Sequence, residues 1–379
     1  MTDIQIKHQE QRQRTVEMLK SQGLTRALFT HPNTFLWLTG FAPPAQMGVN
    51  PFNGGPSLVY VEDGHFTIIA IDNFAGGLAG LQDDPDCTLA TYTGFTIENP
   101  LNATAKMLDT LAQATGGTVI GRIGVERFNL PLSIVTAMGT TAEFVALDSV
   151  MPTLREVKTA EEIALLRENF HLSDVGHAAA RQAVVAGNRE VDVFAAVSSA
   201  IYKEAGQFVP IGNDFIVGYR QANIGAMPDA LEIRPHDSFI ADISTTYGGY
   251  WSDSCATYYA ESPTEKQRKL HQTVTDALDF AISLIKPGAV AGDIDAQVRD
   301  FMRKAGHVVY PHHTGHGVGV MGHEAPRIVP DNPHVLRENM VIMLEPGIYF
   351  PGETSIRLED AVLVTADGCA VLTSHDKSI

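Results

Sequence analysis

The 379-residue chain is 44% apolar, enough to bury a large core, and its length points to two domains. It carries 27 basic against 44 acidic residues, a net charge of −17, which argues against nucleic acid or an anionic membrane as partner. No segment approaches the roughly 18 consecutive apolar residues of a membrane-spanning helix, and the first residues are polar. The cysteines Cys87, Cys255 and Cys369 lack CxxC spacing, so a reducing, cytoplasmic setting is expected.

In chain order, residues 11–22 predict a mostly polar helix with a thin stripe of Val16 and Leu19, capped by Gly23. A short apolar stretch follows at 26–29. The runs 58–61 and 67–71 around Glu62-Asp63-Gly64 predict a hairpin. Residues 117–125 predict a strand whose Gly121 and Gly124 do not make a dinucleotide fingerprint. The boundary is expected near Met151-Pro152, giving an N-terminal domain 1–152 and a second domain 153–379. Thr159 and Glu162 form a capping box opening a long helix with Ile163, Leu166 and Phe170 on one stripe, and a second helix at 191–205 stops at Gly206. A comparable pair is predicted at 264–285, halted by Pro287-Gly288, and at 293–305, halted by Gly306. Two helix pairs, each followed by strands, suggest an internal duplication.

Five residues of the second domain read as a two-metal site: Asp242, Asp253, His316, Glu345 and Glu359. Asp242 and Asp253 flank a Gly248-Gly249 turn, so a hairpin can bring them side by side. Segment 311–326 carries His312, His313, His316 and His323. Glu345 ends the apolar run 340–344, while Arg357 and Glu359 alternate with Ile356 and Leu358 on a strand. Any one of these acids alone is ordinarily a turn or surface residue, and a lone histidine a packed one. Together, four carboxylates would repel one another severely unless cations lay between them. Oxygen donors with one nitrogen and no sulfur suit two divalent ions of Mn, Co, Fe or Zn. Cys255 reads as a packing thiol.

With these motifs the chain resembles the pita-bread metallohydrolases: methionine aminopeptidase, aminopeptidase P, prolidase and creatinase. Segments 16–23 and 33–41, together with His312 four residues before His316, resemble the creatinase, prolidase and aminopeptidase P branch, whose members carry an N-terminal domain. The resemblance implies an α+β fold: a C-terminal pita-bread domain with pseudo-twofold duplication, preceded by an α/β creatinase-like domain. It implies that Asp242 serves one metal, His316 and Glu345 the other, and that Asp253 and Glu359 bridge them around a nucleophilic water. Glu345 would also carry the proton to the leaving nitrogen. His323 would bind the scissile carbonyl oxygen, and His312 the substrate or intermediate. Arg357 and Tyr349 would orient the ligand carboxylates.

One departure stands out. Ile224-Gly225 occupies the place of a family His-Gly, and no histidine lies between His177 and His236. The substrate pocket is therefore expected to use Ile224, Met227, Tyr219 and Arg220. A metal-dependent hydrolase of a peptide C–N bond, most like a Xaa-Pro aminopeptidase or prolidase and homodimeric, is the leading reading. The alternatives are a hydrolase of small non-peptide amides or amidines, like those acting on creatine or ectoine, and an inactive binding module.

Overall fold

The structure, a computed structural model, describes residues 8–43, 54–94, 96–98, 102–139, 141–212, 214–220 and 225–379. The chain divides into two compact units, Ile6–Leu154 and Arg155–Ile379. Among the described residues no helix is long and apolar enough to cross a membrane.

The first unit is built on a six-stranded sheet in the order Cys87–Tyr92, His65–Ile71, Leu58–Glu62, Arg26–Phe29, Gly121–Val125, Ala142–Ala146. Leu58–Glu62 runs antiparallel to both neighbours, and the other pairings are parallel. The hairpin turn uses Asp63 and Gly64, both left-handed at φ 49° and 88°, as a tight two-residue turn demands. Leu28, Tyr60, Ile69 and Ile123 pack with Met107 and Leu111 of the helix Ala103–Thr115. Two expectations change in detail. The first helix, Gln9–Ser21, buries Gln11, Arg12 and Thr15 beside Met18 and Leu19, because Arg12 donates to the Leu38 carbonyl at 2.7 Å and so brings its polar head in satisfied. The strand expected at 117–125 starts only at Gly121, since Gly116 and Gly117 take φ of 68° and 100° and turn the chain instead.

In the second unit, the helices Ala160–Ala183 and Glu190–Ala205 form one pair, and Glu265–Ser283 and Ala291–Lys304 the other. Both pairs open with the same device. Thr159 and Glu162 make a reciprocal capping box, as do Thr264 and Gln267. Each pair covers its own core. Leu172, Val193, Val197 and Ile201 pack against Phe215, Phe239 and Ile243, whereas Leu270, Val274, Ile294 and Val298 pack against Ile342, Leu344, Ile356 and Val362.

The strands beneath these helices carry Asp242 and His316 and flank Asp253, Glu345 and Glu359. Cys255–Tyr259, Ser238–Asp242 and Phe215–Val217 form one antiparallel sheet. Glu324–Ile328, Gly315–Gly317, Val341–Leu344, Asp360–Val364 and Cys369–Val371 form a five-stranded one. The seam between the halves is a β-bridge from Cys255 to Glu359, where the Glu359 N–H donates to the Cys255 carbonyl at 2.9 Å. Beside it, Thr257 Oγ1 and the backbone of Arg357 exchange hydrogen bonds of 2.9 and 3.0 Å.

Candidate metal centre

Asp242 ends its strand, with its N–H on the Asp214 carbonyl at 2.8 Å. Its register partner is Cys255, not Asp253. The expected hairpin is split in two: Ser244–Tyr247 turns through Gly248-Gly249 to Tyr250–Trp251, and residues 252–254 step across irregularly before the next strand. Asp253 sits in that step, where Ser244 Oγ donates to its Oδ1 at 2.9 Å.

His316 occupies the centre of the strand Gly315–Gly317, between two partner strands and opposite Arg327 and Met343. The flanking glycines follow from that crowding. A Cβ at Gly315 would meet the Met343 carbonyl at 2.0 Å, and one at Gly317 the Ala325 carbonyl at 2.3 Å. His316 Nδ1 faces the Gly317 carbonyl at 2.9 Å and so carries the ring proton, leaving a lone pair on Nε2. That lone pair lies 3.6 Å from Glu345 Oε1 and 3.8 Å from both Asp253 Oδ2 and Glu359 Oε1.

These side chains fit a divalent cation. His316 Nε2 and Glu359 Oε1 are buried with no hydrogen-bond partner, an expensive state for acceptors facing other acceptors. The ligand atoms of Asp253, His316 and Glu359 all fall within 4.8 Å of one another, and so do those of His313, His316 and His323. Burial pushes the Glu359 carboxyl well above the usual range, and Asp253, Asp242 and Glu345 push it further. Burial raises Asp242 likewise, against the pull of the Arg357 guanidinium. Burial would raise Glu345 too, but the His313 hydrogen bond and the neighbouring His316 and His312 bring it down to about 2. Burial takes His316 down to about 3, so the imidazole is a ready ligand.

Around this cluster, Arg357 Nη2 donates to Asp242 Oδ2 at 2.6 Å and also to Asp214, while its Nη1 reaches Tyr349 Oη at 3.4 Å. His312 Nδ1 faces the His313 carbonyl at 2.7 Å and must carry the proton. Its Nε2 therefore accepts from Tyr349 Oη at 2.8 Å. Both ring nitrogens of His312 are thus engaged. His323 is exposed, its ring 4.1 Å from that of His316. The following residue, Glu324, is buried in ion pairs of 3.2 Å with both Arg155 and Lys158, which ties down the backbone that presents His323. Cys255 is wholly buried against Ile216, Ile240 and Tyr349.

Of the four pocket residues, Arg220 pairs with the buried Glu190 and donates to the Met227 carbonyl at 3.2 Å. Tyr219 lies beneath the Arg234 guanidinium at 4.1 Å, and Met227 is 59% exposed. Ile224 lies outside the described residues. Two residues without an assigned role in the sequence reading join the site. Asp214 accepts from Arg357 and from the Ala226 N–H, and His313 touches Glu345. Asp214 could have been found as an acid opening the apolar strand Phe215–Val217, and His313 as the neighbour of His312.

Burial and neighbouring like charge raise Asp242 and Glu359 in the metal-free protein, so protons compete there with any cation. Metal binding is therefore expected to release protons in mildly acidic solution and to tighten as pH rises. Calorimetry in buffers of different ionisation enthalpy measures this; a binding heat independent of buffer would contradict it.

The second unit is a pita-bread fold, the architecture of a class of metal-dependent hydrolases, and it follows an α/β domain. Metallopeptidase family M24 matches residues 164–366, and the Creatinase/Prolidase N-terminal domain matches residues 11–157. The Xaa-Pro dipeptidase of Pyrococcus furiosus is 34% identical over 238 residues, 62% of this chain and 68% of the relative. That of Pyrococcus horikoshii is 31% identical over 278 residues, 72% of this chain and 78% of the relative. The crystal structure of the prolidase from Pyrococcus horikoshii OT3 superposes with a TM-score of 0.83 at 24% identity, covering 97% of this chain and 99% of that one. The chain belongs to metallopeptidase family M24 and is a metal-dependent peptide-bond hydrolase.

Proposed function

We propose that this metallopeptidase is a Xaa-Pro dipeptidase that works with two divalent cations held by Asp242, Asp253, His316, Glu345 and Glu359. The observation that carries the reading is the pair of unpartnered buried acceptors, His316 Nε2 and Glu359 Oε1, turned toward Asp253. The donor set fits Mn, Co, Fe or Zn. Bound cations supply the positive charge that acidifies a water and polarises the scissile carbonyl. Glu345, at the edge of the cluster, accepts the proton and passes it to the leaving nitrogen. His323, exposed beside His316, donates to the carbonyl oxygen as negative charge develops there. His312 and Arg357 hold Tyr349 between them and so set the wall beside Glu345. The free thiols of Cys87, Cys255 and Cys369 support a cytoplasmic setting, and a homodimer, read out by light scattering, completes the proposal.

The test is hydrolysis of a panel of Xaa-Pro dipeptides by protein stripped of metal and reloaded with Mn²⁺, set against small cyclic and acyclic amides. Ile224 in the histidine's place favours one competitor, a non-peptide amide hydrolase. Turnover of the amides without the dipeptides would establish that competitor instead. In the same assay, His323→Ala is expected to keep its metal and to lose about a hundredfold or more in turnover. Unchanged turnover would remove His323 from the chemistry.

A further inference from the structure

His313 stands between the residues assigned above without a part in the proposed reaction. Its side chain is 11% exposed, and its ring lies 5.1 Å from that of His316 and 5.5 Å from that of His323. Nε2 reaches Glu345 Oε1 at 2.5 Å. On the far side, Nδ1 meets Nη2 of Arg327. The strand register explains that contact. Arg327 lies directly opposite His316 in the antiparallel pair Gly315–Gly317 and Glu324–Ile328, so its side chain rises on the same face of the sheet.

The direction of the bonds follows from the donors. A guanidinium has five N–H groups and no acceptor, so Nδ1 of His313 can only accept. The proton of the neutral ring is then on Nε2, the atom that faces Glu345, and His313 donates to the carboxylate. One cation on an edge strand thereby selects the tautomer of a largely buried imidazole, and the imidazole fixes the plane of the carboxylate. We propose that Arg327 and His313 form a positioning relay that orients Glu345 for its cation and its proton. The inference rests on the role given to Glu345 under the proposed function. His313 is a positioning residue: the relay delivers an N–H to Oε1 and leaves the ring out of the bond-making steps.

Three variants test it. His313→Ala removes the donor. His313→Gln restores an acceptor and a donor at a separation close to that of the ring nitrogens. Arg327→Met removes the tautomer-setting cation. Calorimetric titration of the metal-free proteins with Mn²⁺ is the first readout, and kcat and KM on a Xaa-Pro dipeptide are the second. For His313→Ala, Mn²⁺ affinity and kcat are each expected to fall roughly 10- to 100-fold with KM nearly unchanged, as for other partners that orient metal ligands. His313→Gln is expected to recover most of both, and Arg327→Met to show a smaller loss in the same direction. Wild-type Mn²⁺ affinity in His313→Ala overturns the relay, as does a loss that His313→Gln fails to recover, since a packing role needs no donor. Wild-type affinity in Arg327→Met overturns its outer limb. Should wild-type protein bind Mn²⁺ yet leave Xaa-Pro dipeptides intact, the substrate assignment fails while the affinities still decide the relay. If wild-type protein binds no Mn²⁺, the metal centre and the relay fall together.

Discussion

Asp253→Ala is expected to strip the protein of bound metal and to lower peptide hydrolysis by more than about a thousandfold, because the acidified water of the proposed reaction depends on the cations this residue is proposed to hold. Asp253 is 2% exposed, lies in the irregular step between two strands, and has its Oδ2 3.8 Å from His316 Nε2. Its ligand oxygen lies within 4.8 Å of the ligand atoms of both His316 and Glu359. The same substitution carries a second expectation of opposite sign. Asp253 contributes to the repulsion that raises Glu359 and Asp242, so removing it relieves strain among like charges when no metal is present. The metal-free variant is therefore expected to melt at or above the temperature of metal-free wild type. Elemental analysis and calorimetric melts of both forms check the two halves. Two metal ions per chain in the variant, or a metal-free form that melts well below wild type, would each refute the account.

Arg357→Met should shift the stability of the metal-free protein in the opposite direction. Arg357 is 2% exposed, and its guanidinium is shared between Asp242 and Asp214, two buried carboxylates. An uncharged side chain of similar length leaves both acids without their cation, a loss of about 3–5 kcal/mol for a broken buried pair. Urea unfolding of the metal-free protein measures it, and a loss below about 1 kcal/mol would place the pair in the range of exposed ion pairs and contradict the burial argument. Adding Asp214→Asn to the same chain is expected to return part of the stability, because one of the stranded charges is then gone. Metal affinity should fall as well, since Asp242 loses the contact that fixes its Oδ2.

Much of this was legible in the sequence where pattern and chemistry coincide. The Thr159–Glu162 box and the glycine stops are local signals that the structure keeps, whereas the strand expected to carry both Arg357 and Glu359 ends at Arg357, and Glu359 follows a break at Leu358 as a lone bridge to Cys255. Grouping of His316 with Asp253 and Glu359 was expected from the turn and strand patterns together with the family resemblance, and charge then called for a shared cation. What stayed hidden depends on long-range register. The step at residues 252–254 is fixed by contacts such as Ser252 Oγ receiving the Thr245 N–H at 3.0 Å, so the hairpin pattern could not show that Asp242 would face Cys255. Asp214 becomes part of the site only because Phe215–Val217 pairs beside Ser238–Asp242. Arg220 looked available for substrate in the sequence, but Glu190, thirty positions earlier, claims it.

The seam at Cys255 and Glu359 has a consequence for how the molecule is divided. Asp242 and Asp253 belong to the half under the first helix pair, and His316, Glu345 and Glu359 to the half under the second. On the proposed ligand set, neither repeat supplies every ligand. Cations bound by that proposed set would act as a rivet through the doubled architecture, and their removal is expected to slacken the join between repeats before disturbing either one's interior.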